Sequence, residues 1–172
     1  VDKRKKELEK INNEIKKLIV EEVKKKEKEG FIIKSEFELN KGKLDWPVKN
    51  GFIINRYGLQ KHNVLKNVTF KNNGIDISVS ENSYAYSIFD GVVKKIFIIP
   101  GYNLGIIINH GDYYTVYMNM EKIYVKEGQK IKLNQEIGKI YTEKETNETI
   151  LHFQIWKNME NLNPEEWLKK KN

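Results

Sequence analysis

The chain has 172 residues, of which 32% are charged and 39% hydrophobic, which suits one globular domain with a real core plus an appendage. It contains no cysteine, which excludes a disulfide framework and thiolate metal sites, and no apolar run approaches the roughly 20 residues of a membrane span. The net charge of +7 comes from scattered lysines, with Arg4 and Arg56 the only arginines, and it bears on association rather than on fold.

Residues 1–29 read as a helix, dense in Lys and Glu and without Gly or Pro before Gly30. Leu8, Ile11, Ile15 and Leu18 repeat at three, four, three, an a/d seam of coiled-coil type, and Ile19 and Val23 widen the stripe. Three readings stay open: the end of a longer coiled coil, a helix lying across a globular domain, or a solvated helix with a narrow docking stripe. Gly30 is a candidate C-cap. No apolar leader follows Val1, so no signal peptide is visible in this stretch. Residues 30–43 lose the periodicity and read as a linker.

From Leu44 onward, in residues 44–172, short strands alternate with turns marked by Gly, Asn and Asp. The predicted strands are Phe52–Asn55, Ile75–Val79, Tyr84–Ser87, Gly91–Ile98, Gly105–Asn109, Tyr113–Met118, Gln135–Tyr141 and Ile150–Trp156. Even spacing without intervening helices predicts a mostly β chain, an antiparallel β-sandwich behind an N-terminal α-helix. Asn163-Pro164-Glu165-Glu166-Trp167-Leu168 predicts a final helical turn capped by Asn163.

Several segments in this order carry a resemblance. They are Leu44-Asp45-Trp46-Pro47-Val48, Phe52 to Gly58, Asn73-Gly74-Ile75-Asp76-Ile77, Asp90-Gly91-Val92-Val93, Gly101-Tyr102 with Ile106 to Gly111, Val125 to Gly138, and Leu151-His152-Phe153-Gln154-Ile155. The ordered set resembles the LytM/lysostaphin-type zinc peptidase domain, also called a duplicated hybrid motif. Active members of that family hold one zinc on a His, an Asp four residues later, and the second His of an H-x-H strand. Two further imidazoles serve the chemistry, the first His of H-x-H and the His of a Y-x-H strand end. A catalytic zinc keeps an open position for a water that it acidifies, so the missing groups matter to the reaction.

Carried over by resemblance, the first ligand falls on Asn72, the second on Asp76 and the third on His152, while the two catalytic imidazole positions fall on Asn119 and Ile150. One ligand and both catalytic histidines are therefore replaced, and zinc is expected to be absent. His62 and His110 are the only other imidazoles, and both read as loop or turn residues rather than ligands.

Strand alternation sends Ile150, His152, Gln154 and Trp156 to one face, the floor of a cleft that is apolar at both ends and polar at its centre. Trp156 is either an exposed interface anchor or a packed core residue. The expected partner-binding cleft comprises Tyr57, Asn72, Asp76, Asn119, Ile150, His152, Gln154 and Trp156. A degenerate domain of this kind behind a coiled coil resembles the EnvC-type murein hydrolase activators. That resemblance implies a non-catalytic protein of the bacterial periplasm or cell envelope that switches on an N-acetylmuramoyl-L-alanine amidase during septal splitting. It also implies a division-associated membrane complex as partner of the coiled coil, with peptidoglycan a further partner and nucleic acid none. The alternatives are an active zinc endopeptidase cutting peptidoglycan cross-links and a plain peptidoglycan-binding module. A lipoyl-type carrier is excluded, because Met118-Asn119-Met120-Glu121-Lys122 lacks the modifiable-lysine arrangement at a hairpin tip.

Overall fold

Twenty-seven residues rich in lysine and glutamate, all tolerant of helical backbone, form α1 (Asp2–Lys28). The structure is a computed structural model that describes residues 2–28, 36–61, 69–101 and 103–171. His62, the Gly30 cap and the Leu8 side chain lie outside the described residues.

The strands are β1 (Phe52–Asn55), β2 (Gly58–Lys61), β3 (Thr69–Asn72), β4 (Ile75–Val79), β5 (Tyr84–Tyr86) and β6 (Gly91–Ile98). They continue as β7 (Leu104–Asn109), β8 (Tyr113–Ile123), β9 (Lys130–Ile131), β10 (Glu136–Ile140), β11 (Thr149–Lys157) and β12 (Glu160–Leu162). The main sheet runs β1-β4-β11-β8-β7-β6-β9, with every strand pair antiparallel, and β10 joins β8 to β5. The expected antiparallel β architecture is thus present, and the eight predicted strands lie within a residue or so of their places, apart from the far end of β8. Pairs β2–β3, β9 and β12 were not expected, because they are short and their sequences do not alternate.

Strand β8 outruns its predicted end at Met118 because of one residue. Asn119 has a φ of 74°, and the register with β7 skips it, while the register with β10 skips Glu121 two residues on. Asparagine tolerates this left-handed backbone, and the extra residue bends β8 away so that its far half pairs with β10.

One face of the main sheet carries Ile75, Ile77, Tyr117, Leu151, Phe153 and Ile155 into the larger core, closed by Ile137 and Ile140 from β10 and by Trp167 and Leu168. The stretch expected as linker contributes Phe37, whose ring stacks 4.9 Å from Tyr113 and 5.0 Å from His110. The final turn is a short 3-10 segment, Pro164–Glu166, and the Asn163 side chain caps it by accepting from the Glu165 N–H.

The opposite face is partly covered by α1, which lies across the domain. Ile11, Ile15, Ile19 and Val23 pack with Ile99, Ile107, Tyr114, Val116, Met118 and Trp156 in a second core. The docked stripe repeats every four residues rather than three-four-three, and Leu18 is only half-buried. A sheet offers a broad, shallow surface, so a ridge of β-branched residues at i, i+4 fits it better than a coiled-coil seam does. Glu22 of α1 reaches Lys94 of β6 at 3.3 Å.

Candidate functional site

Strand pairing brings the sequence-predicted residues together. In β11, His152 lies opposite Asp76 of β4 on one side and Met118 of β8 on the other. Ile150 lies opposite Ser78, Gln154 opposite Val116, and Trp156 opposite Tyr114. Because side chains alternate along a strand, Ile150, His152, Gln154 and Trp156 share the face that α1 partly covers. Gly74 makes the approach of β4 to β11 possible, since a Cβ there would meet the Phe153 backbone carbonyl.

The polar floor is wired into a chain of hydrogen bonds. Trp156 Nε1–H donates to Gln154 Oε1 at 2.8 Å. Gln154 Nε2 lies 2.8 Å from His152 Nε2, and His152 Nδ1 lies 2.7 Å from Asp76 Oδ1. Asn55 Nδ2 donates to Asp76 Oδ2 at 2.9 Å. An indole N–H can only donate, so the Gln154 oxygen must face Trp156 and its NH2 must face the imidazole. His152 Nε2 therefore accepts, and the ring proton sits on Nδ1, directed at the carboxylate. Both ends of the chain agree, since a donor-only group closes one end and a carboxylate the other.

The remaining predicted positions are built into the scaffold. Asn72 is buried, donates to the Arg56 carbonyl at 3.2 Å and accepts from the Gly74 N–H at 3.3 Å. Asn119 donates to the Ile150 carbonyl at 2.7 Å and accepts from Asn103 Nδ2 at 2.8 Å. Tyr57 donates to the Asn161 carbonyl at 3.1 Å, and burial, with Glu160 and Glu166 nearby, raises its pKa. His110 is also structural: its Nδ1 meets the Asp90 carbonyl and its Nε2 the Thr115 hydroxyl, each at 2.8 Å. Trp156 is no exposed anchor here, because α1 leaves it only 2% accessible.

Sequence reasoning missed Asn55 and Asn103, the amides that hold Asp76 and Asn119. Asn103 sits in the left-handed region at φ 57°, and the turn it marks was legible, although its partner was not. Among the described residues no group of three or more His, Asp or Glu side chains could hold a metal ion. At the end of the face away from α1, β1 exposes Phe52 and Ile54.

Comparison with known proteins places this geometry. The pattern of Peptidase family M23 matches residues 70–164, more than half of the chain. The murein hydrolase activator EnvC of Escherichia coli (strain K12) is 28% identical over 129 residues, 74% of this chain and 29% of that protein. The peptidoglycan DD-endopeptidase ShyA of Vibrio cholerae is 31% identical over 113 residues, 65% of this chain and 25% of its own length. The chain thus spans less than a third of either relative. The structure of Helicobacter pylori Csd3 superposes with a TM-score of 0.62 at 28% identity, covering 74% of this chain and 35% of that one. Its relatives include both activators and enzymes of peptidoglycan hydrolysis, and the chain belongs to peptidase family M23.

Proposed function

We propose that this chain is a non-catalytic member of its family, a domain of the bacterial cell envelope that binds and switches on a peptidoglycan amidase in wall remodelling during division. The observation that carries the reading is the fate of the five positions aligned with the family's zinc and catalytic side chains. Asp76 and His152 bond to each other and to neighbouring amides, Asn72 and Asn119 bond backbone groups, and Ile150 has no donor atom. A catalytic zinc needs three protein ligands and an open position for water. Two ligands already engaged with each other, beside two amides and an aliphatic side chain, do not fit that group. In this reading the chain acts by offering a surface.

That surface is the β11 floor. Its open half presents Ile150, His152 and the exposed β1 residues Phe52 and Ile54, while α1 occupies the half containing Trp156. In this reading a partner that needs the whole floor must displace α1, and α1 or its continuation tethers the domain to a division-associated membrane complex. The kinship with the murein hydrolase activator EnvC supports an amidase as the partner.

The deciding measurement is dye release from labelled sacculi by this chain alone and mixed with an N-acetylmuramoyl-L-alanine amidase, with bound zinc measured in parallel. No release alone with acceleration of the amidase is the expected result. Release by the chain alone, abolished by a chelator and accompanied by stoichiometric zinc, would make it an endopeptidase, as ShyA is described. Co-sedimentation with sacculi and no effect on the amidase would make it a wall-binding module.

A further inference from the structure

A carboxylate that accepts from one nitrogen of an imidazole leaves the other nitrogen with a lone pair pointing outward, the arrangement by which His–Asp pairs serve as hydrogen-bond acceptors and bases. His152 and Asp76 have this geometry, with Nδ1 and Oδ1 2.7 Å apart. The outward nitrogen is not offered to the cleft, because the Gln154 amide covers it at 2.8 Å. Gln154 cannot turn away freely. Its oxygen is held by the Trp156 N–H at 2.8 Å, its side chain is fully buried, and Trp156 lies in the cluster formed with Ile11, Ile15, Ile19 and Val23 of α1.

We propose that Gln154 and Trp156 are positioning residues that keep the His152–Asp76 pair masked while α1 is seated, and that a partner in the cleft engages the pair through a hydrogen-bond donor replacing the Gln154 amide on His152 Nε2. This deepens the docking role above and rests on its reading of α1 as a displaceable cover. The physical sequence is short. Lifting α1 exposes the Trp156 edge and lets water compete for the Gln154 oxygen. The amide is then free to rotate, and the Nε2 lone pair opens toward the cleft. The surrounding floor is Ile150, Met118 and Val116, so this nitrogen is the polar centre of an apolar surface. An uncompensated acceptor there disfavours a purely aliphatic partner and favours one carrying a hydroxyl, amide or ammonium N–H at that point.

Lone-pair availability can be read chemically in the full chain. Diethyl pyrocarbonate transfers an ethoxycarbonyl group to an unprotonated imidazole nitrogen with release of ethanol and carbon dioxide, and peptide mass spectrometry locates the product. His110, with both ring nitrogens engaged and 6% exposure, is the internal control. The expected result is slow modification of His152 in the wild type and a rise of roughly fivefold in Gln154→Leu, as loss of one ordinary hydrogen bond allows. Ile15→Asp, which places a charge in the docked face of α1, should give a similar or larger rise, with proteolysis of α1 reporting its release. An unchanged His152 rate in Gln154→Leu, in protein whose circular dichroism is native, overturns the mask. An unchanged rate in Ile15→Asp with α1 demonstrably released overturns the coupling to α1. Retention of α1 in Ile15→Asp overturns the cover, and with it the coupling, while the Gln154→Leu arm still decides the mask. None of these arms contains sacculi or an amidase, so failure of the amidase reading is separately visible.

Discussion

Asn119 shows how much one side chain can do when its backbone is unusual. Its left-handed φ of 74° redirects β8, and its amide joins β11 to the turn at Asn103. Two substitutions separate these roles. Asn119→Gly keeps the backbone preference and loses the two bonds, whereas Asn119→Ala loses both. Asn119→Ala is therefore expected to be less stable than Asn119→Gly by roughly 1 kcal/mol, measured as the difference in urea midpoint at constant m. Gly74 supplies a second case. A methyl there runs into the Phe153 carbonyl, which is backbone and cannot rotate aside, so Gly74→Ala is expected to lose roughly 1–3 kcal/mol. The site itself was legible at this scale only in part: the resemblance of motifs singled out Asn72, Asn119 and Ile150 as expected site positions. That Asn72 turns to the Arg56 carbonyl is a property of the folded hairpin.

At the scale of elements, α1 and the sheet share an apolar contact with one partly buried ion pair, Glu22–Lys94, at its side. Burying an isoleucine is worth roughly 1.5–3 kcal/mol, whereas a partly exposed ion pair contributes about 1 kcal/mol or less. Docking of α1 should accordingly survive Lys94→Gln nearly unchanged. Ile15→Ala, at a fully buried position, is expected to weaken it by roughly 2–5 kcal/mol. Hydrogen exchange checks both, because α1 amides lose protection when the helix lifts, while amides of β7, β8 and β11 keep theirs. The sequence showed an apolar stripe on this helix but not its target. Three-four-three and four-four-four subsets of the same residues coexist in it, and only the receiving surface selects between them.

At the scale of the whole molecule, Tyr113, Tyr114 and Tyr117 are buried, and burial raises each phenol above its ordinary value of 10.0. A Glu38 hydrogen bond adds to the effect at Tyr113, and the charge of Glu22 adds to it at Tyr114. In each case the folded state holds the proton more tightly than the unfolded chain does. The associated stability is fully present below the unfolded value and is lost as pH rises above it toward the folded value. Urea midpoints should hold steady below about pH 10 and fall above it, with Tyr117→Phe reducing the fall by removing one of the three phenols.

By itself the sequence determined the family, the antiparallel β architecture, and the shared face of Ile150, His152, Gln154 and Trp156. Those features depend on local alternation, turn chemistry and residue identity, all of which are written along the chain. Tertiary structure alone decided that α1 sits on the cleft face and that Trp156 is covered. It also decided that Asn55 and Gln154 flank the Asp76–His152 pair. Those outcomes depend on which distant strands become neighbours and on which way each polar side chain can turn once its partners are fixed. A donor-only indole and an acceptor-only carboxylate set that direction between them, and they meet only through the pairing of β4 with β11.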